Sequence, residues 1–442
     1  MKNKPGIRMD YSMSPSYLSL NLTVKQKLAI GMVSTGLLIQ LVYWLSFSGI
    51  HAGLWFIASA ALAVTGASWY IYDSYLHEPW GIKNNHNWFS SLTNRGVWAW
   101  VLAVFLTGFY ILLYWYPSLL GLGETDNKGL VRLFDPLSKI LNGNKASQWF
   151  MYGTLYTLII LIMGVKFIYK YRHNRYQIYR TLSVMFFQTI VAFLLPEILQ
   201  SFNLPYNDFK NIWPLNYYFF FDWHLDEMIQ AGTFGYFILF WGILSFLVFT
   251  PVLTYFFGKR WYCSWVCGCG GLAETAGDPF RHLSDKSTKA WKWERYLIYS
   301  VLAFAVIMTL AVLATRFIGN SNVFFFSSYD LSKWYGFFIG AAFSGVIGVG
   351  FYPLMGSRVW CRFGCPMAAY LGILQKKKSK FRITTNGGQC ISCGNCSTYC
   401  EMGIDVKAYA QRGDDIVRAS CVGCGVCSAV CPRGVLRLEN GE

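Results

Sequence analysis

Cysteine is missing from the first 262 of the 442 residues, and all 13 cysteines lie between Cys263 and Cys431. Charge is scarce too: Asp, Glu, Lys and Arg make up 14% of the chain, against roughly a quarter in soluble domains. The first absence argues against a disulfide scaffold, which belongs to short secreted chains, and favours thiols held reduced as metal ligands. The second argues against a soluble chain of two or three domains. There is no Walker-type P-loop, strand–GxGxxG–helix unit or G-x-S-x-G, so nucleotide and hydrolase chemistry have no basis. The C-x-x-C-H signature of covalent haem is missing as well. Of the six histidines (His51, His77, His86, His173, His224 and His282) only His51 borders an apolar segment, which disfavours a transmembrane haem held by paired histidines.

What the chain has instead is apolar and aromatic surface. Hydrophobic residues reach 54% and aromatics 19%, with 18 Trp and 29 Tyr to sit at membrane–water interfaces. Runs of roughly 20 apolar residues suffice to cross a bilayer. Eight are expected, near Leu28–Phe47, Ala52–Tyr72, Val97–Tyr116, Trp149–Ile168, Thr181–Leu199, Thr233–Phe257, Leu297–Thr315 and Tyr335–Leu354. The net charge of +16 sits in short runs beside these segments and carries no nucleic-acid motif, so nucleic-acid binding is not expected. Lys2, Lys4, Arg8, Lys25 and Lys27, then Lys170, Arg172, Arg175 and Arg180, then Lys259, Arg260, Lys286, Lys289, Lys292 and Arg295 mark one side. Asp208, Asp222, Asp226 and Glu227 mark the other. The positive-inside rule then places both termini in the cytoplasm. The polar N-terminus has no signal-peptide cleavage pattern, so the first apolar segment is expected to remain as a span.

The tail reads Cys390-x2-Cys393-x2-Cys396-x3-Cys400, then Cys421-x2-Cys424-x2-Cys427-x3-Cys431-Pro432, the copies offset by 31 residues. Three cysteines spaced by two wrap a cubane, and the fourth crosses to the partner cluster. This assigns Cys390, Cys393, Cys396 and Cys431 to one [4Fe–4S] cluster and Cys421, Cys424, Cys427 and Cys400 to another. Gly394, Gly423, Gly425 and Gly434 are expected to bring backbone amides close to the sulfides. C-x2-C also suits zinc, but eight cysteines in duplicated order favour iron.

A second repeat lies at the membrane. "FFGKRWYCSWVCGCGGLAE" and "LMGSRVWCRFGCPMAAYLG" share G-x-R-x-x-C-x3-C, each after an apolar segment. Cys263, Cys267, Cys361 and Cys365 are thus two half-sites on one side of the membrane. Together they would supply the four ligands of a third cluster, or else a pair of switchable thiols. Cys269 breaks the symmetry and is expected to be a spare thiol.

The ending resembles bacterial-type two-cluster ferredoxin. The chain from about Ala231 resembles the membrane-bound polyferredoxins, the group that includes the NosR, NapH and CcoG proteins. That group pairs C-x3-C-P motifs at span ends with ferredoxin cysteines. Cys361-x3-Cys365-Pro366 fits, whereas Gly268 and Cys269 stand where proline should follow Cys267, and Glu401 replaces proline after Cys400. The resemblance implies supply of electrons to a respiratory or maturation system outside the cytoplasmic membrane of a bacterium.

The expected fold is therefore an all-α polytopic membrane bundle of about eight spans with a small α+β ferredoxin-like domain. Its parts are a cytoplasmic segment (1–27), a membrane region of unassigned resemblance (28–230), a membrane region with both C-x3-C motifs (231–375) and the ferredoxin-like domain (380–442). Lys376, Lys377, Lys378, Lys380 and Arg382 read as a solvated linker near headgroups. The expected function is electron transfer from a soluble cytoplasmic donor or the quinone pool to a membrane or outer redox partner. Alternatives are a copper reductase or assembly factor, and a structural iron–sulfur subunit. The outer side has no cysteine ladder to favour copper. Glu197, late in the fifth span, is a candidate for proton handling or quinol contact. The aromatic loop Asn203–Gln230 reads as a segment lying on the outer leaflet or, equally, as a docking surface. His224 within it reads as structural, and Lys166 and Arg316 as snorkelling side chains.

Overall fold

The computed structural model of the protein describes residues 22–46, 52–76, 95–318, 322–323 and 326–440. Lys2, Lys4, Arg8, His51, His77 and His86 lie outside the described residues. Among those described, seven helices are long and apolar enough to cross a membrane: Val24–Leu45, Gly53–Tyr75, Val97–Trp115, Gln148–Lys170, Arg175–Ser201, Thr233–Phe257 and Thr288–Ile318. They are called here the first to seventh spans. The Gly, Ala and Ser content of the second follows from its packing. Gly66 and Gly36 each lie where a Cβ would meet the facing helix, at Ala29 and at Ser59 and Ala63, so the first two spans cross closely.

The fifth and sixth spans contain π-helical stretches, Phe187–Leu194 and Ser245–Phe249, each ending two residues before a proline, Pro196 or Pro251. Proline lacks an N–H and crowds the preceding turn, and a wider turn accommodates it without breaking the rod.

An eighth long apolar helix over Tyr335–Leu354 is not found. The helix Ser328–Tyr335 continues as a π-helix, Gly336–Ile347, then gives way to turns and a short helix, Tyr352–Met355. The break falls at Gly348 and Gly350, residues of low helix propensity where a Cβ would meet Trp360 and Thr107, after Tyr217 has packed against Gly336 and Gly340, and Tyr110 and Tyr114 against Gly345. The chain still returns to the end of the bundle it left, because Arg358 Nη1 reaches the Cys263 carbonyl at 3.4 Å.

Three smaller expectations also change. The loop Asn203–Gln230 does not simply lie on a surface. Tyr262 Oη donates to the Lys210 carbonyl at 2.8 Å and Trp213 Nε1 to Thr309 at 3.1 Å, so the loop plugs into the bundle. Lys166 does not snorkel; it is buried with its ammonium 5.9 Å from the Tyr75 ring centroid. Arg316 pairs with Asp222 at 3.1 Å and Asp226 at 2.6 Å.

At the other end, the strands Phe381–Thr385 and Leu436–Asn440 pair antiparallel, with Phe381 opposite Asn440 and Ile383 opposite Leu438. Lys376, Lys377 and Lys378 are solvent-exposed, as the last turn of a helix, Pro366–Lys378. Lys380 N then donates to the Tyr255 carbonyl at 2.8 Å. One buried cluster runs from Tyr262, Trp360 and Leu371 of the membrane end into Ile383, Ile404, Val422 and Leu436 of the tail. The tail is packed onto the bundle, not hung from it.

Candidate metal centres

The tail repeats its backbone as well as its cysteines. Ser392 and Gly423, Gly394 and Gly425, Gly403 and Gly434 are counterparts at the 31-residue offset, and all six have φ between 56° and 77°. Short helices follow, Asn395–Thr398 and Val426–Ala429. The left-handed turns aim amides inward. Gly423 N donates towards Cys421, Val426 N towards Cys424, and Met402 N and Ile404 N towards Cys400. The four glycines singled out from the sequence all adopt this conformation.

Cys390, Cys393, Cys396 and Cys431 line one cavity of about 20 Å³. Burial pushes the Cys396 thiol up to about 11, with Cys393, Cys431 and Cys390 adding to the rise. Burial likewise raises Cys427, whose neighbours are Cys424, Cys400, Cys421 and, from the other set, Cys396. Crossed ligand sets side by side are what the spacing implies. Burial opposes ionisation of Cys396, Cys400, Cys421, Cys424 and Cys427, and thiols so placed among converging amide donors suit an iron cluster whose positive metal centres stabilise the thiolates. These residues fit two [4Fe–4S] clusters.

The membrane-end motifs share one frame. Gly258 and Gly356, with φ of 64° and 95°, each close a helix by donating to the carbonyl four residues back. Cys267 N and Cys365 N bond back to the Tyr262 and Trp360 carbonyls at 2.8 and 2.9 Å. Each cysteine is then the N-cap of the next helix, Gly268–Thr275 or Pro366–Lys378. The Cys365 sulfur accepts from the Ala368 amide three residues on at 3.4 Å, and the Gly270 amide faces Cys267 at the equivalent position. Cys263, Cys267, Cys361 and Cys365 are all buried. Burial raises Cys365, and Cys361, Cys267 and Cys263 raise it further, so the two half-sites meet. The set fits a third cluster. Cys269 is not remote from it: its thiol donates towards Cys267.

Between the membrane-end set and the tail lies a buried ionic lattice not anticipated from the sequence. Lys170 pairs with Asp278 at 2.7 Å, Arg281 with Asp278 at 2.9 Å and with Glu401 at 2.7 Å. Arg358 pairs with Glu401 at 2.9 Å and with Glu274, which also pairs with Arg180. Burial opposes ionisation of Asp278, yet Lys170, Arg281 and Lys166 hold its carboxyl down to about 2. Glu401 is likewise lowered against burial by Arg281 and Arg358. The residue that departs from the Cys-Pro pattern is therefore a lattice member. A carboxylate oxygen of Glu274, one of Glu401 and the Cys424 sulfur lie within 4.8 Å of one another. Because Cys424 belongs to the inner tail set, this group is read as that set's border.

On the bundle side of the thiols is a chamber of about 1020 Å³. Its inner wall is Cys267, Gly268 and Cys269. Lys210 Nζ donates to Gln188 Oε1 at 3.0 Å, and a Cβ on Gly268 would lie 2.9 and 2.6 Å from those two atoms. Aromatic residues such as Tyr152, Tyr156 and Trp360 line the middle, and Asn142, Lys145 and Glu197 the far end. Glu197 accepts from Asn142 Nδ2 at 2.5 Å. His224 is buried with Nδ1 3.1 Å from the Phe219 carbonyl, as a structural histidine would be.

Sequence comparison agrees with this placement. Residues 389–436 match the 4Fe-4S dicluster domain, and residues 239–287 and 336–384 each match a 4Fe-4S binding domain. The chain therefore carries ferredoxin-type [4Fe–4S]-binding sequence both in its tail and at its membrane end. It is 28% identical over 179 residues to YccM of Escherichia coli (strain K12), a protein named provisionally for electron transport. The match covers 38% of this chain and 47% of that protein, so the chain spans about half the length of its relative. No solved structure matches the chain significantly.

Proposed function

We propose that the protein is a membrane-embedded iron–sulfur electron-transfer protein with two [4Fe–4S] clusters in its tail and a third at the membrane-end cysteines. The carrying observation is the continuity of three thiol sets. Cys390, Cys393, Cys396 and Cys431 adjoin Cys421, Cys424, Cys427 and Cys400, which border the lattice that touches Cys361. Such a row connects a partner at the tail with one in the membrane. Resemblance and loop charge support a bacterial cytoplasmic membrane with the tail and both termini inside. A soluble donor then docks at the tail, and the acceptor is a membrane or outer protein, or a quinone.

The chamber favours the quinone. It combines aromatic walls with a Lys210 ammonium beside the Cys267–Cys269 turn, a donor suited to a ring carbonyl. The boundaries 231–375 and 380–442 are proposed as the working units, with 28–230 supplying the chamber's outer wall.

Iron and sulfide analysis of the anaerobically purified full chain tests the reading. About twelve iron atoms, four for each cubane, are expected, with electron paramagnetic resonance resolving three reducible species. Bound zinc without sulfide would overturn it, and about eight iron atoms would remove the membrane-end cluster.

A further inference from the structure

The G-x-R-x-x-C repeat places an arginine three residues before the first cysteine of each half-site, and one of the two has an unusual set of contacts. Arg358 is 1% exposed. Its Nη1 donates to the Cys361 sulfur at 3.5 Å and the Cys263 carbonyl at 3.4 Å, so it holds one half-site by a ligand and the other by backbone. Its Nη2 contacts Glu401 at 2.9 Å, the residue next to Cys400, and also Glu274. Gly270 leaves room for this, since a Cβ there would lie 3.1 Å from Nη1. One guanidinium thus touches both membrane-end half-sites and the edge of the inner tail set.

We propose that Arg358 is a positioning residue shared by two cysteine sets, locking them together and holding a buried positive charge between them, so that the reduction potentials of both respond to it. The inference rests on the electron-transfer reading above. Removing a guanidinium from a buried pair usually leaves an uncompensated carboxylate, but Glu274 and Glu401 are also held by Arg180 and Arg281, so each keeps a cation when Arg358 is replaced. Around the junction, Lys166, Lys170, Arg180, Arg281 and Arg358 face Asp278, Glu274 and Glu401, so cations outnumber carboxylates in a dry setting. Four thiolates make each loaded set anionic, and reduction adds a further negative charge. A fixed cation and an N–H donor at sulfur favour the reduced form, and both effects are strong where water is excluded. Lysine could keep the charge, but its single ammonium cannot span Cys361, Cys263, Glu274 and Glu401 together.

The test is redox-poised electron paramagnetic resonance of the iron-loaded full chain in detergent, comparing wild type with Arg358→Gln, Arg358→Lys and Lys170→Gln. Arg358→Gln is expected to lower the midpoints of the membrane-end and inner tail species together and to leave the outer tail species, ligated by Cys390, Cys393, Cys396 and Cys431, in place. Arg358→Lys should restore part of both shifts. Lys170→Gln removes the same charge from a residue that contacts no cysteine, and should leave the membrane-end midpoint unchanged. Should Arg358→Gln yield no loaded protein, Glu401→Gln keeps the guanidinium and removes its counter-charge, and must raise the inner midpoint. A shift confined to one set, or none with Glu401→Gln, overturns the proposal. Wild-type protein without a membrane-end species would instead defeat the three-cluster reading beneath it.

Discussion

The two membrane-end half-sites have almost the same backbone and very different side chains. Gly258 and Gly356 end the preceding helices in the same way, and Cys267 and Cys365 are the N-caps of the following ones. The arginines then diverge. Arg358 is enclosed beside Cys361, while Arg260 lies 4.4 Å from the Phe381 ring centroid and donates to Asn440 at 3.2 Å, gripping the tail's sheet. The residue after the second cysteine diverges as well: Pro366 rigidifies one helix start, and Gly268 admits Lys210 and Gln188 to the other. Eleven residues after each first cysteine stand Glu274, inside the ionic lattice, and Gly372, against Ala419 of the tail. Backbone common to both copies presents the thiols, and what differs assigns each copy its neighbours: Gly268 opens the first to Lys210 and Gln188 and Glu274 carries it into the lattice, while Arg358 and Gly372 set the second against the lattice and the tail.

The comparison breaks first if the copies are not equally needed for metal. Cys267→Ser and Cys361→Ser, one from each copy, should each abolish the same membrane-end signal and reduce iron from about twelve to about eight atoms per chain. Loss in one variant alone would mean the copies serve different centres. Cys269→Ser should keep the iron, as a thiol outside the ligand set.

A smaller effect is expected where the first copy faces the chamber. Gly268→Ala places a methyl group against Gln188 Oε1 and Lys210 Nζ. Iron content should hold, while reoxidation of the reduced protein by a soluble quinone analogue slows roughly tenfold, about 1.4 kcal/mol in the barrier. Stopped-flow absorbance reads this directly, and an unaltered rate would dissociate the chamber from electron exit.

The smallest effect separates the two arginines. Arg260→Ala loses a cation–π contact and one hydrogen bond at the tail's sheet, which should weaken docking by about 0.5–1 kcal/mol. Protease nicking near Lys378 should quicken slightly, and no cluster midpoint should move. A midpoint shift as large as that of Arg358→Gln would erase the distinction between the copies.

How much of this was legible beforehand varied with the range of the interaction. The tail sets are local: C-x2-C-x2-C spacing constrains three sulfurs within seven residues, and the crossing of Cys400 and Cys431 follows from the duplication. The half-sites were legible as a repeat. The lattice was not, because Lys170 meets Asp278 across 108 positions and nothing near Lys170 signals a buried carboxylate. Glu401 stood out only as a missing proline. Hydropathy located the segment after Tyr335 but not its form, a π-helix over Gly336–Ile347 that gives way to turns, since composition does not reveal what packs against the glycines. The aromatic loop Asn203–Gln230 misled for a related reason: a ring buried against helices and a ring buried in headgroups look alike in sequence.

The buried cluster that runs from Leu371 into Ile404 and Val422 bears on how the proposed redox partner would be met at the tail. A tethered ferredoxin can swing, collecting a charge in one orientation and delivering it in another. A tail whose hydrophobic interior is shared with its support has no such stroke. It behaves as a fixed socket, and on the proposed reading a soluble carrier would do the travelling, with the face around Ile391, 54% exposed beside Cys390, as the place to meet it. Turnover would then depend on carrier concentration and encounter geometry, not on a hinge.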